Sequence, residues 1–320
     1  MPKTIAVALV MLISVCATPL LVEADTVREA SFEVNTGVRQ DSLIWDTSGV
    51  IPYYKELSVG SELDWDELDI YEIGGEGRLV VENGVMPFAT CLRIRGAYGS
   101  VYDGEVRDSD YIRYDGDTYE FSRSISDSDD GDTLTLNAGI GPQFYLWSDR
   151  LSFAVLVGYN YHEQNLTLSD GVQVVGYEGI TPPVGTFMPD LDSSYDATWE
   201  GAWIGVDAAL RLGQRLIVEA SVEVQDVKYE AEADWNLRTD LAHPVSFEHD
   251  ADGICIMTSA AVHYLLNESW ALSGNVNYGY MVTDDGAHTA YGSDGSATRI
   301  RLEEVEWDSI GATLGLRWIF

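Results

Sequence analysis

Ser309-Ile310-Gly311-Ala312-Thr313-Leu314-Gly315-Leu316-Arg317-Trp318-Ile319-Phe320 is the stretch whose reading decides the fold. Ile310, Ala312, Leu314, Leu316, Trp318 and Phe320 share one parity, while Ser309, Gly311, Thr313, Gly315 and Arg317 hold the other. A period of two is the signature of a strand with one apolar face and one polar or small face. Working outward, the pattern recurs through the chain. It appears at Leu151, Phe153, Val155, Val157, Tyr159 and Tyr161, and again at Leu216, Val218, Ala220, Val222 and Val224. Trp270, Leu272, Val276, Tyr278, Tyr280 and Val282 form another apolar face, as do Leu134, Leu136, Ala138, Ile140, Phe144 and Leu146. Phe88, Leu92, Ile94 and Tyr98 form a further one, and no charge intrudes on any of these sets.

Turn residues divide the pattern. Short turns fall at 82–84, 148–150, 213–214 and 266–269, and long polar stretches at about 38–60, 103–132, 167–196, 233–251 and 284–303. Ten strands are expected, near 29–37, 61–81, 88–102, 133–147, 151–166, 197–212, 215–232, 252–265, 270–283 and 304–320. The second is hardest to phase, because its alternation blurs between Asp64 and Asp69.

Many alternating strands suit a soluble sandwich or a transmembrane barrel, and the aromatic residues decide between them. Phe144, Phe153, Trp270, Trp318 and Phe320 sit beside short turns; Tyr98, Tyr159, Tyr161, Tyr278 and Tyr280 sit nearer the long connections. From Trp270 to Tyr280, at roughly 3.3 Å per residue and a tilt of roughly 45°, the chain rises about 23 Å, the height of an outer-membrane apolar band between two aromatic girdles. Arg93, Arg95, His162, Glu219 and Glu223 fall on the opposite parity, expected to line a polar lumen. The expected fold is all-β: an antiparallel up-and-down transmembrane barrel of about ten strands in the bacterial outer membrane.

The rest of the sequence agrees with export. Lys3 precedes an uncharged, mainly apolar run from Ile5 to Val22, and Val22-Glu23-Ala24 has the spacing of a signal-peptidase site, so residues 1–24 read as a signal peptide and 25–320 as the barrel domain. The chain has 18 Lys+Arg against 53 Asp+Glu, a net charge of −35, which excludes a nucleic-acid partner. Beyond the leader only Cys91 and Cys255 remain. Both take the inward parity, on the third and eighth strands, which face each other across a ten-strand ring. Opposite walls stand well beyond the roughly 7 Å Cα separation a disulfide needs, so two separate thiols are expected rather than a cross-lumen staple.

Local motifs carry a family resemblance. Leu63-Asp64-Trp65, and the tract Gly104-Glu105-Val106-Arg107-Asp108-Ser109-Asp110, resemble the omptin outer-membrane proteases. The tract Glu67-Leu68-Asp69-Ile70-Tyr71-Glu72-Ile73-Gly74-Gly75-Glu76-Gly77 is more similar to the omptin-like outer-membrane proteins of the Protochlamydia type, regarded as porin-like or structural surface proteins. The omptin resemblance implies that Asp108 and Asp110 hold one side of a catalytic water. An Asp-x-His pair, the His acting as general base, would hold the other. The matching position reads Asp234-Trp235-Asn236, and an amide takes no proton near neutral pH. Of the five histidines, His243 and His249 share that loop and are the candidates to replace the base. His288 lies in the fifth loop, His162 inside the wall and His263 beside a short turn.

Residues 103–132 hold eleven acids, among them Asp127, Asp129, Asp130 and Asp132. These could offer oxygen ligands to Ca²⁺, but their spacing is not that of an EF-hand and a hydrated hairpin tip is the favoured reading. No cofactor is implied. The expected function is a non-catalytic outer-membrane barrel, structural or porin-like. The alternative is an omptin-type endopeptidase working through the paired aspartates. The expected partners are outer-membrane lipid and, at the acidic loops, cations or cationic peptides.

Overall fold

The computed structural model describes residues 27–51, 54–82 and 86–320, so the expected signal peptide and most of the 82–84 turn lie outside the described residues. Among the described residues the elements are β1 (Val27–Ile51), β2 (Tyr54–Glu82), β3 (Ala89–Tyr114), β4 (Asp117–Asp127), β5 (Gly131–Leu146), β6 (Leu151–Val175), β7 (Phe187–Leu212), β8 (Leu216–Asp234), β9 (Phe247–Leu265), β10 (Trp270–Thr283), β11 (Gly286–Tyr291) and β12 (Ala297–Ile319). Every pairing is antiparallel, and β1 pairs with β12 to close the sheet on itself. The ring runs β1, β2, β3, β5, β6, β7, β8, β9, β10, β12: the ten expected strands.

β4 and β11 are additions to that ring. β4 folds back on β3 and also pairs with β6, and β11 pairs with β12 and β9. Each fills the gap left in the wall beyond the end of a shorter ring strand. Much of what reads as long polar connection is therefore strand: β1 and β2 run on to Ile51 and Tyr54, and β6 continues to Val175. The reason is a change of chemistry without a change of period, clearest on β8. Its outward residues are Val222 and Val224 and then, from Asp226 upward, Lys228, Glu230 and Glu232, while its inward residues pass from Glu219, Ser221, Glu223 and Gln225 to Val227, Tyr229, Ala231 and Ala233. Below this switch the wall is apolar outside and polar inside, as lipid requires. Above it the wall is polar outside and apolar inside, as in a soluble barrel.

The blurred phase on the second strand has a physical cause. Glu67 takes φ +53°, and the β2–β3 register shifts between Asp66 and Asp69. This bulge moves the inward set from Leu63 and Trp65 to Leu68 and Ile70, all four fully buried.

The two girdles are in place. Trp270 and Trp318 stack at the short-turn end with ring centroids 5.9 Å apart, and Tyr71, Tyr159 and Tyr278 are exposed at the other. Within the wall, Trp203 lies flat against two glycines. A Cβ on Gly139 would come within 2.3 Å of its ring and one on Gly158 within 2.5 Å, so only glycine leaves room for the indole there. Cys91 and Cys255 are buried, separate free thiols.

Candidate functional site

The lumen has two storeys, set by the switch in wall chemistry. The lower one is crossed by ion pairs. Arg93, fully buried on β3, donates to Asp207 on β7 and to Glu223 on β8, four strands away around the ring, and its guanidinium lies 4.9 Å from the Trp203 ring centre. Arg95 donates to Glu76 at 2.6 Å and Glu223 at 3.1 Å; Arg78 donates to Asp207 at 2.9 Å and Gln143 at 2.8 Å. From β12, Arg317 reaches Glu33 at 2.9 Å and Glu219 at 2.8 Å. Arg93, Arg95, Glu219 and Glu223 are the inward residues that alternation placed in the lumen, and ion pairs join them across it with Glu33, Glu76, Arg78, Asp207 and Arg317. A cavity of about 770 Å³ surrounds this crossbar. Ser148, Asp149, Arg150 and Gly213 of the short turns border it, so it opens at the periplasmic end.

The upper storey is an apolar plug. Leu43, Trp45, Leu63, Trp65, Tyr195, Trp199, Tyr229, Phe247, Leu302 and Trp307 pack into one buried cluster with inward residues from all sides of the ring. Through it runs a hydrogen-bonded chain. His288 Nδ1 meets His249 Nε2 at 2.8 Å, His249 Nδ1 meets the Tyr195 hydroxyl at 2.8 Å, and that hydroxyl meets the hydroxyl of Tyr229. Burial pushes His288 down to about 4, and burial followed by the charge of His288 holds His249 well below the usual histidine range. Both histidines are therefore neutral members of a core. Neither lies free in a loop.

Above the plug sit the acids singled out by the resemblance. Asp108 and Asp110 lie on the inward face of β3, beside Leu63 and Ser61 of β2. Ser61 Oγ donates to Asp110 at 2.8 Å. Burial, then the negative charge of Asp110, pushes Asp108 up to about 7, against the opposing pull of Arg238. Burial also raises Asp110, against Ser61, Arg238 and Ser122. Arg238, held by Asp240 through two hydrogen bonds of 2.9 and 2.8 Å, is the positive charge acting on this pair that sequence reasoning missed. It lies four residues past Asp234 in an irregular loop, where no periodicity could orient it.

The other half of the expected site is arranged differently. Asp234 carries the outward parity of β8, with Glu230 and Glu232, and it binds His243 Nδ1 there. Asn236 is a clamp. Its Oδ1 accepts from the Asp192 backbone N–H at 3.0 Å and Ser193 Oγ at 3.1 Å, and its Nδ2 donates to the Asp190 carbonyl at 2.7 Å. The structure brings Asp108 and Asp110 together and pairs Asp234 with a histidine, but it gives the second pair an outward strand position and the first an inward one.

Residues 127–132 are not a hairpin tip. That tip is at Asp115 and Gly116, with φ of +52° and +85°. The 127–132 segment is the corner where β4 rejoins the wall. Ser128 N–H donates to the Gly104 carbonyl at 2.9 Å, Asn165 Nδ2 donates to Asp132 at 2.9 Å, and the Asp130 carboxylate accepts from the Gly131 N–H. Asp127, Asp129 and Asp130 are exposed, and among the described residues no group of three or more His, Cys, Asp or Glu is arranged to hold a metal ion.

A closed antiparallel ring, an apolar outer band between aromatic girdles and a polar, ion-paired lumen define a bacterial outer-membrane β-barrel protein. More particularly, the chain belongs to the Protochlamydia outer membrane protein family, whose model matches residues 33–320. No curated protein sequence matches it. Among solved structures, the outer membrane protease OmpT from Escherichia coli superposes with a TM-score of 0.71 at 12% identity, covering 92% of this chain and 97% of that one. A FadL homologue from Pseudomonas aeruginosa gives a TM-score of 0.28 at 10% identity over 92% of this chain and 90% of that one. The OmpT likeness bears out the expected ten-stranded barrel, and at that identity it speaks for the fold alone.

Proposed function

We propose that this protein is a non-catalytic, non-conducting surface barrel, with a structural rather than a porin-like role. The apolar plug carries the reading. It occupies the lumen over the whole upper storey, and an ion crossing it would have to be stripped of water in a medium lined by Trp, Tyr, Leu and Phe. The ion-paired crossbar below adds a second obstruction. On the catalytic side, Asp108 and Asp110 share their inward face with Leu63 and Ser61, and the positive charge that acts on both is the guanidinium of Arg238. Planar-bilayer recording on the folded protein tests the proposal. No steady single-channel current is expected, and large steady currents would overturn it.

The endopeptidase reading keeps one specific observation in its favour, the hydrogen bond between Asp234 and His243. Incubation of the lipid-reconstituted protein with Arg- and Lys-rich peptides decides it. Cleavage that survives Asn236→Ala and is lost in His243→Ala and Asp108→Ala would establish that reading. The acidic loops would then serve to gather cationic peptides, and outer-membrane lipid is the proposed partner of the apolar band under either reading.

A further inference from the structure

Five of the nine asparagines in the sequence converge on the lower cavity: Asn35, Asn137, Asn160, Asn275 and Asn277, from β1, β5, β6 and β10. In a chain so rich in aspartate and glutamate, amides at these inward positions are a choice of neutral over charged hydrogen-bonding groups. Asn137 is engaged with Asn160, Glu223 and Arg93. The side-chain oxygens of Asn275 and Asn277 have no partner within the protein, although buried polar groups are as a rule paired. Eight carboxylates and seven arginines line the cavity, and Glu33, Glu72, Glu76, Asp207, Glu219 and Glu223 are each ion-paired with an arginine. Its volume of about 770 Å³ falls within the range of about 300–1,000 Å³ typical of small-molecule sites. The plug closes it from the cell exterior, and the short-turn end leaves it open to the periplasm.

We propose that this chamber is a periplasm-facing binding site for a small, neutral, polyhydroxylated solute of the saccharide class. Beside the Asn275–Asn277 wall the charges of Arg317, Glu33 and Glu219 are already joined in ion pairs, while Arg150 and Arg211, which have no ion-pair partner among the described residues, belong to the short-turn mouth; hydroxyl groups can accept from the carboxamide Nδ2 groups of that wall without disturbing any pair. Asn275 and Asn277 stand on β10 two residues apart on one face, opposite Thr313 and Gly311 of β12. Gly311 leaves space for the Asn277 amide, since a Cβ there would lie 2.5 Å from its oxygen. The wall that carries Asn275 and Asn277 is thus the recognition surface, through their carboxamide Nδ2 groups, with the ion-paired crossbar as the fixed side. This site is independent of whether the mouth above is catalytic or inert.

The test is calorimetric titration of the full-length protein, refolded in a detergent without a sugar headgroup, with maltose as the neutral probe. Glucose 6-phosphate and spermidine serve as its charged counterparts. Saturable maltose binding is expected, at least tenfold tighter than either charged probe. It should weaken at least tenfold when Asn275→Leu and Asn277→Leu are combined, and less in Asn275→Ser, which keeps a hydroxyl. Heat-modifiable electrophoretic migration verifies that each variant has the closed barrel. The absence of saturable maltose binding, undiminished binding in the folded double variant, or tighter binding of a charged probe would each overturn the proposal.

Discussion

Replacing Trp65 by alanine strikes the plug at its centre. The indole is fully buried, its ring centroid is 4.9 Å from that of Tyr195, and Leu43 of β1 and Val106 of β3 are its direct neighbours across the strands. Removing a buried Trp side chain from a packed core costs about 3–5 kcal/mol, the lost transfer energy of the ring plus the cavity left behind. The site has little freedom to collapse, because the surrounding residues sit on strands tied into the wall on both sides; the upper part of the range applies. Urea unfolding of the variant in lipid vesicles, followed by tryptophan fluorescence, should therefore show a destabilisation of about 4–5 kcal/mol. The same gap lies in the seal, so bilayer recordings that are silent for the native protein should acquire measurable current in Trp65→Ala, and more in Trp65→Ala with Trp199→Ala. Trp199 makes the second experiment informative, since it packs on Tyr229 at 4.3 Å and is also fully buried. A cost below about 1 kcal/mol would mean the ring is not packed as described. A double variant that folds and remains as silent as the native protein would place the barrier to ions in the crossbar instead.

Three further outcomes follow from the same geometry. Arg93→Met leaves Asp207 and Glu223 short of a buried partner and should cost about 3–5 kcal/mol in unfolding free energy, whereas Arg113→Met, whose partner Asp46 is about a third exposed, should cost under about 1 kcal/mol. His288 is lowered from 6.5 to about 4 by burial, so the unfolded chain takes up the proton first. Its contribution to stability should be intact above about pH 6.5 and lost as pH falls from there to about 4, giving a denaturation profile that is flatter across this window in His288→Gln. Asp108, raised from 3.8 to about 7, acts in the opposite sense: its contribution is lost as pH rises from about 4 to about 7. Asp108→Asn should accordingly raise stability at pH 8, by at most about 4 kcal/mol, and leave it unchanged at pH 3; a destabilised variant at pH 8 would refute the raised carboxyl.

The reach of the sequence can be judged strand by strand. The segments 133–147 and 270–283 were legible almost to the residue, and 151–166 at its start, because lipid outside and polar groups inside give each one an apolar and a polar face. The stretches at 38–60, 103–132 and 284–303 looked like loops because their outward residues are mostly polar or charged. Leu43 and Trp45, or Leu63 and Trp65, carried the same period in the reversed sense. On β2 the Glu67 bulge broke the phase where the two senses meet, so the reversal could not be followed across it.

The sequence by itself determined a closed ring of ten alternating strands, its membrane band and the polar character of its lumen, because each is a property of single strands and of the solvent each face must meet. Tertiary structure alone decided what meets across the ring. It joined Arg93 and Arg95 to Glu223 over three intervening strands, gathered inward aromatics of separate strands into one plug, and brought five asparagines around one chamber. It also turned Asp234 outward to His243 and spent Asn236 on clamping the start of β7. Such pairings depend on strand tilt, register and the path of irregular loops, which fix distances between residues far apart in the chain, and no local period records them.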